Sequence, residues 1–172
     1  MSATWQMPLV NHLTRLAAPD NPDRAALAHL RRGLGRPIAE TLSRVGWLFD
    51  RVPDEALDSA VLAAGLFAWV KGDCKHTDNV DFGRAFGAGL TRDEKQQREK
   101  RFTDLLDTDA DDLPYKLRQA VTLIRGTGLD WAALMTHLTH RDHIDKWVQK
   151  TWARGYWSAP ATDDEPDDDE TT

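Results

Sequence analysis

Residues 113–140 read LPYKLRQAVTLIRGTGLDWAALMTHLTH, and this stretch decides the fold class. Leu113, Leu117, Ala120, Val121 and Ile124 recur at three- and four-residue steps, which places them on one stripe of a helix. Gly126 and Gly128 end that helix, because glycine tolerates the backbone reversal that follows a last turn. Asp130 then caps a second helix carrying Trp131, Leu134, Met135 and Leu138. The pattern has a period near 3.6 residues and no alternation of period two.

The same punctuation extends in both directions. Upstream, Thr91 with Glu94 has the spacing of a capping box and opens a helix through about Asp107, and Asp111 or Asp112 caps the helix at Leu113. Downstream, a last helix sets Ile144, Trp147, Val148 and Thr151 on one side, with Trp152 at its border. Near the amino terminus Trp5, Leu9, Leu13 and Leu16 form a helix closed by Pro19 and Pro22. A second helix covers roughly residues 23–32 and stops at Gly33, with Gly35 and Pro37 in the connection. Pro37 and Pro53 suit first helical positions, and Asp54 and Glu55 sit in the first turn of a helix running to about Lys71. Residues 72–80, GDCKHTDNV, lack apolar periodicity and read as the main internal loop. The expected fold is all-α: a compact multi-helix bundle over residues 1–160, divisible into halves 1–75 and 80–160, followed by a disordered acidic tail.

That tail, ATDDEPDDDETT at 161–172, holds seven acidic residues and no basic one. The chain has 22 Lys+Arg, 28 Asp+Glu and a net charge of -6, so the tail supplies the whole acidic excess and the body is about neutral. A neutral body can still carry basic stripes. At 172 residues the chain suits one substantial core rather than a multidomain enzyme. The longest apolar run, VLAAGLFAWV at 61–70, is half a membrane span and reads as a buried helix, so no membrane partner is expected. The amino terminus shows no secretion signal, and the single cysteine, Cys74, forms no internal disulfide or cysteine cluster. Cytoplasm is the expected compartment.

Positive charge falls in rows. RAALAHLRRGLGRP at 24–37 holds Arg24, Arg31, Arg32 and Arg36 without an acidic residue. Lys146, Lys150 and Arg154 are four residues apart and make one ridge of the last helix. Arg118 and Arg125 share a side of the helix after Leu113, with Lys116 further round, whereas Arg98 and Arg101 have Glu94 and Glu99 close by to compensate them. A single row is most simply a solvated helix face. Uncompensated rows on several helices also match a phosphate backbone, which needs regularly spaced donors and no base-reading motif. Of the seven tryptophans, Trp5, Trp47, Trp69, Trp131 and Trp147 fall within apolar periodicity and read as core. Trp152, Tyr156 and Trp157 lie beside Arg154, where stacking on a partner is the competing reading.

Candidate catalytic features are weak. His137, His140 and His143 form an i, i+3, i+6 row with Asp142 and Asp145 nearby, but the row crosses a helix boundary and matches no established metal signature. HRD at 140–142 lacks the asparagine and glycine-rich loop of a kinase, and Gly83, Gly87 and Gly89 miss the dinucleotide spacing. Cys74 and His76 are too weakly paired to define a nucleophile. No catalytic residue, metal or cofactor is expected.

RAALAHLRRG at 24–33, VDFGRAFGAG at 80–89 and the block at 101–140, with DLP, LRQ and DW at these separations, resemble the CasB family over about residues 20–157. That family is the small subunit of the type I-E CRISPR Cascade surveillance complex. The resemblance implies an all-helical, non-enzymatic protein in two copies beside the large subunit and the repeated backbone subunits. It also implies basic surfaces that steady the guide RNA and the opened target DNA, both the paired and the displaced strand. Carried over, it points to Arg31, Arg32, Arg84, Lys116, Arg118 and the ridge of the last helix. Two features depart from the family: the acidic start at Asp54 and Glu55, and the tail, whose carboxylates would compete with nucleic acid for the basic face. A pure assembly adaptor and a small metal-dependent nuclease built on the histidine row are the rival readings.

Overall fold

Helix α4 (Leu57–Trp69) is the axis around which the first layer of the molecule is built. Ala60, Val61, Ala63, Ala64, Leu66, Phe67 and Ala68 are all buried, so the helix is enclosed on almost every side. Its alanines let neighbours approach closely: α1 (Gln6–Leu16), α2 (Arg24–Arg32), α7 (Leu113–Leu123) and α8 (Trp131–His140) pack around it. α3 (Ile38–Val45) lies on α2. The computed structural model describes residues 5–163.

A second layer is formed by α5 (Phe82–Gly87), α6 (Arg92–Asp107) and α9 (Trp147–Ser158), with its most extensive contact between α5 and α9. Phe82, Phe86, Phe102, Trp152 and Tyr156 are fully buried there. The Phe102 and Tyr156 rings stack at 4.3 Å, and Phe82 meets Trp152 at 5.0 Å. The two layers share one continuous core. Because α7 and α8 pack on α4, that core crosses the boundary between residues 1–75 and 80–160. No helix among the described residues is long and apolar enough to cross a membrane.

Local capping explains most boundaries. Asp23 accepts from the Ala26 amide at 3.0 Å, Asp81 from Arg84 at 3.1 Å, Thr91 from Glu94 at 3.2 Å and Asp130 from Ala133 at 2.9 Å. Asp112 takes the N-cap position of α7 but makes no side-chain cap; its own amide donates to Asp109 instead. Asp54 and Glu55 lie in a 3-10 turn, Asp54–Ala56, that precedes α4.

Residues 72–80 form the expected internal loop, and tertiary contacts add what the sequence does not show. The segment 72–80 is tied to the α7–α8 connection: Thr77 N donates to Leu129 O at 2.9 Å, Leu129 N to Lys75 O at 3.0 Å, and the Trp131 indole N–H to Cys74 O at 2.7 Å. The glycine-rich FGRAFG is a helix, and its Gly83 is required by a close crossing with α9. A Cβ on Gly83 would stand 1.8 Å from Trp152 O, and one on Gly155 would stand 2.5 Å from Asp81 Oδ1. The tail begins docked, with Thr162 N donating to Leu90 O at 2.9 Å and Arg92 N to Asp163 Oδ1 at 3.0 Å. The rest of the expected disordered segment, 164–172, lies outside the described residues.

Candidate nucleic-acid interface

The candidate cations fall into three groups. In the first, α2 ends at Gly33 and the chain turns back into α3, so the last turn of one helix faces the first turns of the other. His29, Arg32, Arg36, Glu40, Thr41 and Arg44 line the resulting cleft. Three guanidiniums therefore meet one carboxylate. Arg44 escaped the sequence reading, although Arg36, Glu40 and Arg44 stand at four-residue spacing. Arg31 is half-buried, and Arg24 sits at the opposite end of α2.

The second group is on α7. Lys116 shares a small cleft with Arg101 and Asp104 of α6. Arg118 lies between two aromatic rings, with Cζ 4.9 Å from the Trp69 centroid and 5.3 Å from that of Tyr115. Trp69 is thus a surface residue, 37% exposed, and not part of the core as its periodicity suggested. Arg125 is committed elsewhere: its Nη2 is 2.6 Å from Asp73 Oδ2, a pair fifty-two residues apart that no local pattern announces.

The third group surrounds the α5–α9 crossing. Arg84, Lys150 and Arg154 are exposed, and the crossing sets the Arg84 backbone against Gly155, next to Arg154. Lys146 is the N-cap of α9 in left-handed conformation, φ 52°, so it stands at the head of the ridge rather than within its helical row. Trp152 and Tyr156 are corrected from possible contact residues to core, both 0% exposed, and only Trp157 reaches solvent. Arg98 feels the Glu94 carboxylate as expected, but its direct contacts lie elsewhere. It donates to Phe86 O at 3.1 Å and stacks on the Phe86 ring, and burial lowers its pKa. Among the described residues Arg24, Arg31, Arg32, Arg36, Arg84, Lys116, Arg118, Lys146, Lys150 and Arg154 make no ion pair, which leaves their charge available to an anion.

The histidine row comes apart on folding. His137 is buried, and its Nδ1 accepts from the Trp152 indole at 3.0 Å, which joins α8 to α9. His140 packs near Trp147, and His143 lies beyond the helix end beside Asp145. No group of three His, Cys, Asp or Glu side chains among the described residues is arranged to hold a metal ion. Cys74 is buried with its Sγ donating to Thr127 O at 2.8 Å, and burial pushes the thiol up to about 12, so it is an inert packing residue. Arg141, also unmarked by the sequence, is buried and donates to Leu105 O and Thr108 O at 2.9 and 2.8 Å, closing the end of α6.

His137 makes stability depend on pH. Burial lowers its pKa, outweighing the opposing effect of Asp81 and Asp130. The unfolded chain therefore takes up the proton first as pH falls below the ordinary histidine value. The stabilisation is complete above about 6.5 and is lost as pH drops from there toward the lowered folded value. Thermal melts across pH 7.5 to 5 are expected to show a falling midpoint. His137→Asn, which keeps an acceptor for Trp152, is expected to fall less steeply; an identical slope would exclude His137 as the source.

These features define a class first: an all-helical protein with surface cations that make no ion pair among the described residues. The family model of CRISPR-associated protein Cse2 matches residues 26–157, and the chain belongs to this family, also called CasB. It is 36% identical to a CRISPR-associated protein Cse2 from Thermus thermophilus, over 82% of this chain and 83% of that protein. The crystal structure of CasB from Thermus thermophilus superposes with a TM-score of 0.71 at 30% identity, covering 90% of this chain and 98% of that one. A chain of a CRISPR RNA-guided surveillance complex shares the fold, with a TM-score of 0.70 at 20% identity over 89% of this chain and 91% of that one.

Proposed function

We propose that this protein is the non-catalytic small subunit of a CRISPR RNA-guided surveillance complex of the Cascade type. In that role it sits beside the large subunit, the backbone subunits and a second copy of itself, in the cytoplasm. Its basic surfaces hold the guide RNA and the target and displaced DNA strands. The observation that carries the reading is the set of cations on α2, α7 and α9 left without acidic partners in a member of this family. Opening a target exchanges DNA–DNA pairs for RNA–DNA pairs at nearly balanced cost. Modest attraction to the opened strands is then enough to tip the equilibrium, with no chemical step.

Salt dependence tests this. Four phosphate contacts to a single strand give an affinity that falls about fiftyfold between 50 and 200 mM salt. The full chain is expected to show a loss of this order in fluorescence anisotropy with a labelled single-stranded oligonucleotide. Absence of binding even at the lowest salt would reject nucleic-acid holding and favour an assembly adaptor.

A further inference from the structure

The phosphate-holding reading leaves one surface feature unexplained: why two large aromatic rings stand exposed on either side of an arginine. Tyr115 is 56% exposed and Trp69 37% exposed, and Arg118 lies over both rings. The polar atoms of the rings are already engaged within the protein. The Trp69 indole N–H donates to Thr122 Oγ1 at 3.0 Å, Gln119 Nε2 donates to the Tyr115 hydroxyl at 2.9 Å, and Thr122 Oγ1 donates to Arg118 O at 2.8 Å. What the rings offer outward is therefore their faces and the Tyr115 O–H donor. The guanidinium between them makes no hydrogen bond or ion pair among the described residues, and α7 carries no carboxylate.

We propose that Trp69, Arg118 and Tyr115 form a stacking platform for an unpaired nucleobase of a single-stranded polynucleotide. The base lies on the exposed face of Tyr115, and the free N–H groups of Arg118 hold the adjoining phosphate. The inference rests on the phosphate-binding reading and extends it from charge to bases. One observation favours this occupant over an apolar protein segment: a cation without an ion-pair partner among the described residues stands at the centre of the patch. The engaged hydroxyl and indole fix the ring positions before binding, so little side-chain freedom remains to be lost. Any base has a π-face, so the platform is indifferent to sequence.

The test compares two strands of equal length and charge, an oligothymidylate and an abasic sugar-phosphate strand, binding to the full chain at fixed salt. The wild-type protein is expected to bind the base-bearing strand about tenfold more tightly. Tyr115→Ala is expected to remove most of that preference with its salt slope unchanged, and Tyr115→Phe to restore it. Circular dichroism melts confirm that the variants are folded. Equal binding of both strands by the wild type, with normal salt dependence, overturns the platform and leaves phosphate holding intact. A preference that survives in folded Tyr115→Ala also overturns it. If neither strand binds at low salt, both readings fall together.

Discussion

Gly83→Ala is expected to destabilise the protein by about 3 kcal/mol or more and to lower its thermal midpoint by about 10 °C. Local propensity argues the other way, since alanine is favoured over glycine by about 1 kcal/mol within a helix. The crossing decides the sign. A methyl on Gly83 would lie 1.8 Å from Trp152 O and 2.5 Å from Trp152 C, both backbone atoms of α9 that cannot rotate aside. The helices must separate. That loosens Phe82 from Trp152 and stretches the Trp152–His137 hydrogen bond joining the two layers. Gly46→Ala is the matched control: nothing lies within 4 Å of its added Cβ, and its φ of -57° is helical. That variant is expected to be unchanged or slightly more stable, by up to about 1 kcal/mol. Equal melting midpoints for the two variants would show that the α5–α9 contact is not a rigid part of the fold.

Gly83 also shows where sequence reading reaches its limit. Helices whose ends are set by nearby residues were legible: Thr91 for α6 and Asp130 for α8 each cap the amide three positions on. In α5 the glycines serve a helix sixty or more residues further along the chain, and locally such glycines resemble a loop. A single apolar stripe on the last helix puts Trp152 at its border. α9 is covered from two directions, by α5 and by His137 of α8, so the buried arc is wider. Trp69 errs in the opposite sense, since it closes an apolar run yet turns outward onto Arg118. The positions of cations were readable, but their partners were not. Whether Arg125 is free depends on Asp73, and whether Arg98 is free depends on the Phe86 carbonyl.

That distinction between free and committed cations produces the largest expected functional effect. Joint replacement of Arg32, Arg36, Arg118 and Lys150 by glutamate is expected to weaken single-strand binding by the full chain on the order of several hundredfold at 0.1 M salt. Each released phosphate contact contributes a power of about 0.7 in salt concentration, so the loss of four lowers the logarithmic slope by about 3. The same substitutions in an assembled complex should shorten the lifetime of opened DNA, because attraction to the displaced strand no longer offsets re-annealing. Arg125→Gln is the informative contrast. It too removes a cation from α7's side of the molecule, but that guanidinium is held 2.6 Å from Asp73 and has little charge to offer a phosphate. Its binding should stay within about twofold of wild type, less than one ordinary phosphate contact. A quadruple variant that keeps both affinity and salt slope would show that these four residues do not carry the strand. A single Arg125 change that matched the quadruple loss would instead mean that the Asp73 pair opens on binding and that the anion-holding surface is centred on the end of α7.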